Sequence, residues 1–170
     1  MKKIKTKQVL DACCGCKMFW FDKNDSRVIF ADARKGKLDV SHCTSNPGKK
    51  EINPDIIHDF RNMDFKDNSF WHIVFDPPHV KNISLKSVTG FSYGSLDKDT
   101  WKEDLKKGFA ECFRVLKPNG TLIFKWNEIQ IPLKEILLLT EYKPLYGNRS
   151  GKSAKTHWVA FIKNEEKIKD

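Results

Sequence analysis

Short β-rich runs punctuate this chain at residues 8–10, 27–31, 56–58, 71–75 and 121–126, each closed by a polar turn, and another covers 156–162. Continuously apolar runs of that length suit strands covered on both faces, as in a parallel sheet. Between the fourth and fifth, Trp101, Leu105, Phe109, Cys112, Phe113 and Leu116 recur at helical spacing, which predicts a helix over 99–116 stopped by Lys117-Pro118-Asn119-Gly120. A second helix is expected over 132–139. Strands alternating with helices predict an α/β doubly wound sheet. Residues 35–54 (KGKLDVSHCTSNPGKKEINP) carry no helical stripe and are expected to be mostly irregular loop where a crossover helix would normally sit. Residues 80–98, with Gly90 and Gly94 around Phe91 and Tyr93, also read as loop. With 170 residues, no internal repeat and no low-complexity linker, residues 1–170 read as a single domain.

Charge and cysteine usage narrow the function classes. The net charge of +9 comes from 31 basic against 22 acidic residues, and a basic surface suits a polyanionic partner. General lysine enrichment accounts for the same number, with Lys2, Lys3, Lys5, Lys7 and residues 163–169 as frayed, solvated ends. Five cysteines with no apolar leader before them predict a reduced, cytoplasmic protein. Cys13 and Cys16 have CxxC spacing, with His42 and Cys43 downstream, but no second CxxC follows and the cluster continues the apolar run at Val9-Leu10. Buried, inert thiols are expected there and no metal. No stretch approaches the ~18 apolar residues of a membrane span.

Ligands of doubly wound sheets bind at the carboxyl ends of strands, near the point where strand order reverses. After the first run comes Asp11-Ala12-Cys13-Cys14-Gly15-Cys16-Lys17; after the second, Asp32; after the third, Asp59-Phe60; after the fourth, Asp76-Pro77-Pro78-His79. A single acid in such a position is an ordinary turn residue. Four in register point to a site.

On these residues the chain resembles the class I S-adenosylmethionine-dependent methyltransferases over nearly its whole length. VLDACCGCK resembles their first motif, with Cys13 and Lys17 where glycines are usual and Gly15 retained. HDFRNMDFKDNSFWHIVFDPPH is similar to the third and fourth motifs run together, and FRVLKPNGTLIFKW to the helix and fifth strand that follow. The resemblance implies one Rossmann-like methyltransferase domain, mostly parallel with an antiparallel strand near the C-terminus, and S-adenosyl-L-methionine as cofactor. It implies that Asp32 accepts from the ribose hydroxyls, Asp59 from the adenine amino group, and that Phe60 offers the ring an apolar face. It sets Cys13 and Gly15 against the methionine moiety, with Asp11 near its ammonium group or orienting the loop through water.

The stretch VFDPPH narrows the chemistry. Proline lacks an amide donor and cannot sit inside a sheet, so the pair ends a buried strand in a rigid platform. The Asp76 carboxylate and the Pro77 carbonyl then offer adjacent acceptors for the two hydrogens of a planar amine, with Pro78 stiffening the turn and His79 as a stacking face. The aminomethyltransferase branch of the family carries an Asn or Asp, two prolines and an aromatic residue here. The resemblance thus implies methyl transfer to an amino nitrogen, foremost an exocyclic amine of a base in DNA or RNA. A protein amide or small-molecule amine methyltransferase, and a nucleic-acid-binding module without chemistry, are the alternatives. Expected phosphate contacts are Arg149, Lys152 and Lys155, in the segment GNRSGKSAK over 147–155. That segment is one residue short of a P-loop and no helix pattern follows, so nucleoside triphosphate hydrolysis is not expected.

Overall fold

The computed structural model describes residues 7–41, 48–149 and 155–164. In chain order its elements are β1 (Val9–Asp11), β2 (Val28–Asp32), β3 (Gly36–Asp39), β4 (Lys49–Ile52), β5 (Ile56–Ile57), β6 (Phe70–Phe75), α1 (Val88–Tyr93), α2 (Trp101–Val115), β7 (Leu116–Asn127), α3 (Leu133–Leu137), β8 (Tyr146–Arg149) and β9 (Thr156–Ile162). Seven strands form one sheet in the order β5-β2-β1-β6-β7-β9-β8. β9 is antiparallel to both its neighbours, and every other pairing in that sheet is parallel. The chain first runs outward from β1 through β2 to β5, then returns to the other side of β1 as β6. That reversal opens a crevice at the carboxyl ends of β1 and β6.

The helical stripe read in the sequence is the face of α2 that packs on the sheet. Leu105, Phe109, Cys112 and Phe113 are buried there, with the Phe109 ring 5.4 Å from Phe75 and 4.9 Å from Phe124. Burial of each such side chain contributes about 1.5–3 kcal/mol. Glu103 and Asp104 in the first turn and Arg114 in the last complement the helix dipole. A smaller cluster of Cys14, Val28 and Phe30, with Val9 and Trp20 against it, forms apart from this main core.

Several elements differ from the sequence reading. Residues 35–54 contain the antiparallel β3–β4 pair instead of irregular loop; residues 42–47 lie outside the described residues. Only Ile52 among the pair's strand residues is buried, so no buried stripe announces it. Residues 80–98 hold the short α1, whose N-cap Ser87 accepts from Gly90 N. The helix expected over 132–139 is shorter, with Pro132 as N-cap residue. Strand β8 had no apolar signal because all four of its residues are exposed at the sheet edge. Lys117-Pro118-Asn119-Gly120 ends α2 but lies within β7, as an irregularity between the pairs Phe70/Leu116 and His72/Thr121. Asn119, at φ +62°, donates its amide to Lys163 O there. Lys163, expected in a solvated tail, is buried, and its ammonium donates to Leu116 O and to Asn68 Oδ1. Asn164 is exposed, and residues 165–169, with Lys2, Lys3 and Lys5, lie outside the described residues. Of the crossovers, only β6 to β7 carries a long helix; residues 12–27 and 58–69 connect their strands through turns.

Gly108 joins this core to the crevice. A Cβ there would stand 2.7 Å from both the Phe60 and Phe75 rings, so α2 approaches Phe60 closely only because this residue is glycine. Helix propensity favours Gly108→Ala by about 1 kcal/mol, whereas overpacking costs about 1–3 kcal/mol. The variant is expected to be the less stable in urea titration, and a midpoint equal to or above wild type would show that the rings yield freely.

Candidate active site

The carboxyl ends of β1, β2, β5 and β6 enclose a cavity of about 330 Å³, a volume suited to a small molecule. Cys13 and Gly15 line it from the loop after β1, Asp32 from the end of β2, Asp59 and Phe60 from beyond β5, and Asp76, Pro77, Pro78 and His79 from beyond β6. One expected residue stands apart. Asp11 is wholly buried behind the loop, where it accepts from Cys13 N at 3.2 Å and from the Trp20 indole at 2.6 Å. It thus orients the loop directly.

Asp32 is the hub of the first half of the cavity. Its Oδ2 accepts from Gly15 N at 2.9 Å, and the Arg34 side chain donates to both its oxygens, Nε to Oδ1 at 3.0 Å and Nη2 to Oδ2 at 3.1 Å. Arg34 also reaches Phe91 O in α1 at 2.8 Å. Gly15 has φ +49°, and a Cβ there would come within 3.2 Å of Ser92 O, so both backbone angle and space disfavour a side chain. Lys17 holds a left-handed φ of 52°. Asp59 is clamped by Arg61, through Nε at 3.0 Å and Nη2 at 2.6 Å, which keeps its carboxyl below the ordinary range. Arg61 continues to Asp104 in the first turn of α2 at 3.0 Å.

In the second half, Lys125 of β7 donates to Asp76 Oδ2 at 2.6 Å. Both side chains are largely buried, and the ammonium lies 5.4 Å from the Phe19 ring centre and 5.7 Å from that of Trp158. Burial pushes the Asp76 carboxyl above its ordinary range, and the charge of Lys125 opposes that push. Pro78 packs against Gly94, where a Cβ would lie 2.7 Å from the proline Cγ. The His79 ring sits 5.3 Å from Tyr93. Its pKa is pushed down to about 4, chiefly by burial and further by Lys125, so the ring is neutral at pH 7.

This crevice belongs to a fold with many solved relatives. The PH0226 protein of Pyrococcus horikoshii matches at 17% identity, covering 96% of this chain and 84% of that one, with a TM-score of 0.57. A TehB-like SAM-dependent methyltransferase of Corynebacterium glutamicum matches at 15% identity, covering 94% and 81%, with a TM-score of 0.58. The 1,6-didemethyltoxoflavin-N1-methyltransferase of Burkholderia thailandensis, crystallised with 1,6-didemethyltoxoflavin and S-adenosylhomocysteine, matches at 13% identity, covering 92% and 71%, with a TM-score of 0.53. The fold is the Rossmann-like methyltransferase fold. At these identities the likeness is one of fold. No protein-family model and no curated protein matches the chain.

Within this methyltransferase fold, the reading from sequence missed Trp20, Arg34, Arg61, Tyr93 and Lys125. Arg34 and Arg61 each follow their acid by two residues, a spacing visible in the sequence; Lys125 and Trp20 meet their acids only through folding. The expected phosphate-contact segment holds Arg149 and Lys155, both exposed, with Lys152 outside the described residues. The strand β9 follows it, where a P-loop would require a helix. Cys14 and Cys112 are buried and Cys13 and Cys16 half-buried, all four with thiols pushed up by burial; His42 and Cys43 lie outside the described residues. Among the described residues no group of three or more His, Cys, Asp or Glu side chains has metal-binding geometry, and no helix is long and apolar enough to cross a membrane.

Asp11 makes the site's presence felt in stability. Burial raises its carboxyl from 3.8 to about 7, against the pull of Trp20 and Cys13. The folded chain therefore binds more protons than the unfolded chain between those values, and this group's contribution to stability falls as pH rises through that window. Asp11→Asn keeps an acceptor for the indole and removes the charge. Denaturation at pH 5 and pH 8 is expected to show the variant gaining on wild type by on the order of 3 kcal/mol at the higher pH. An equal difference at both pH values would mean that Asp11 ionises normally.

Proposed function

We propose that this chain transfers a methyl group from S-adenosylmethionine to an exocyclic amine of a nucleic-acid base. The observation that carries this reading is a single cavity lined both by Gly15 and Asp32 and by Asp76-Pro77-Pro78-His79. The residues fit the cofactor: Gly15 leaves a cradle that a Cβ would fill, and Asp32 offers two carboxylate oxygens to a diol, in exchange for the Arg34 donors now on it. Phe60 and Asp59, which line the same cavity, would hold the purine. Bound there, the cofactor supplies an electrophilic methyl group.

The remaining chemistry belongs to the chain. An aromatic amine is a poor nucleophile because its lone pair is delocalised into the ring. Hydrogen bonds from its two hydrogens to Asp76 and to the Pro77 carbonyl favour the tetrahedral nitrogen, whose lone pair is localised, so they strengthen toward the transition state. Lys125 occupies Asp76 Oδ2, which leaves Oδ1 for the substrate and favours the ionised carboxylate. The neutral His79 ring stacks on the base, with Tyr93 beside it. The new N–C bond would form as the methyl–sulfur bond breaks, the bonding pair staying on sulfur in the demethylated cofactor, and the surplus proton on nitrogen would leave toward Asp76 and solvent.

Labelled cofactor incubated separately with single-stranded DNA, RNA and protein tests the substrate class. Label on a base nitrogen is expected; label only in protein, or in added small-molecule amines, would overturn the nucleic-acid reading. Asp32→Ala is expected to weaken both the cofactor and its demethylated product in calorimetry, and no heat with either ligand on folded wild-type protein would remove the cofactor assignment.

Asp76→Ala is expected to lower single-turnover methyl transfer by about 100-fold or more, with cofactor affinity within a few-fold. An unchanged rate per cofactor-binding molecule would mean the two prolines merely end a strand. Lys125→Met is expected to slow transfer and to move the acidic limb of the pH–rate profile upward, since the cation that opposes the raised Asp76 pKa is gone. Lys125→Arg restores that limb. A profile unmoved in Lys125→Met would reduce Lys125 to a packing residue.

A further inference from the structure

A second cavity, of about 390 Å³, lies beside the first. The loop after β1 forms one wall and the β3–β4 pair the other. Lys17, Lys23, Lys49 and Lys50 line it, with Glu51 as its one acid, and Lys37 engages that acid across the pair at 3.2 Å. Asp39, opposite Lys49 in register, accepts from the Ser41 hydroxyl. Four lysines against one acid give the cleft a positive lining, which favours an anion. Lys17 is held in place: its Nζ donates to Lys23 O at 3.0 Å and lies 3.9 Å from the Phe30 ring centre. Cys16 and Met18 line both cavities, so the cleft adjoins the site. The charges of Lys50 and Lys23 reach the Cys16 thiol at that junction.

We infer that this lysine cleft seats the phosphodiester backbone of the nucleic-acid substrate, so that a base turned out of the strand enters the adjoining cavity. The inference rests on the substrate reading above and moves the main phosphate contact away from the segment at 147–155. Arg149 ends β8, four strand positions from β1, or roughly 19 Å at the usual spacing. The cleft borders the site itself. Lysine ammonium groups act there as point charges, so they hold phosphates without reading sequence.

The test compares wild type with a Lys23→Ala, Lys49→Ala, Lys50→Ala variant, leaving Lys17 because of its structural contacts. Both are titrated with a single-stranded oligonucleotide across a salt series and with S-adenosylmethionine. The variant is expected to bind the oligonucleotide about tenfold more weakly or worse and to lose about two units of salt slope, near 0.7 per phosphate contact removed. Cofactor affinity should be unchanged. On wild type, the oligonucleotide should protect Lys23, Lys49 and Lys50 from an amine-reactive label, a measurement that needs no variant to fold. Unprotected lysines, or an unchanged affinity and slope while Arg149→Ala with Lys155→Ala loses both, would overturn the cleft and leave the substrate reading standing. Wild type that binds no oligonucleotide and labels only protein or a small amine would overturn the substrate reading, and the cleft with it.

Discussion

Gly15 donates its amide to the buried carboxylate of Asp32, which Arg34 grips from the other side while also holding a carbonyl of α1. Through this one group the loop after β1, the end of β2 and the segment that roofs the cavity share a common anchor. A buried carboxylate tolerates that position only when its acceptors are filled, so the three segments are bound to one another by the requirement to satisfy it. The proposed ribose contact exchanges the Arg34 donors for hydroxyl donors and leaves the Gly15 bond in place. Cavity shape and cofactor reading therefore depend on the same few atoms.

A comparable arrangement governs the other half of the crevice. Asp76 ends β6 and is buried next to Lys125 of β7, so the parallel pairing of these strands brings an acid and its counter-ion into register. The counter-ion keeps a desolvated carboxylate useful as an acceptor; without it, burial alone favours the neutral acid. The packing of Pro78 against Gly94 and of His79 near Tyr93 joins this platform to the α1 segment. Each half of the cavity therefore leans on residues 88–94.

The α/β class, the long helix, the run of strand-end acids and the Asp-Pro-Pro-His turn were legible in the sequence because each is a local pattern. Apolar period, turn chemistry and position after a run require no knowledge of distant residues. The β3–β4 pair and β8 were not legible. Of their side chains only Ile52 is buried, and strands held chiefly by backbone pairing leave little mark on hydrophobic periodicity. Lys163 was misread for the opposite reason, since a lysine is normally solvated and its burial depends on Leu116 O and Asn68 Oδ1, acceptors far away in the chain.

By itself the sequence determined which groups stand at the carboxyl ends of the parallel strands: Asp32, Asp59 and Asp76 with its two prolines follow short apolar runs, and a parallel sheet aligns such ends on one edge whatever else surrounds them. Only the tertiary structure decided what each acid meets. Asp11 turned inward to Trp20, Asp32 met Gly15 across the loop, and Asp76 met a lysine 49 residues away. Pairing partners of buried charges are set by strand order and register, which arise from packing of the whole sheet. No local window of residues contains that information.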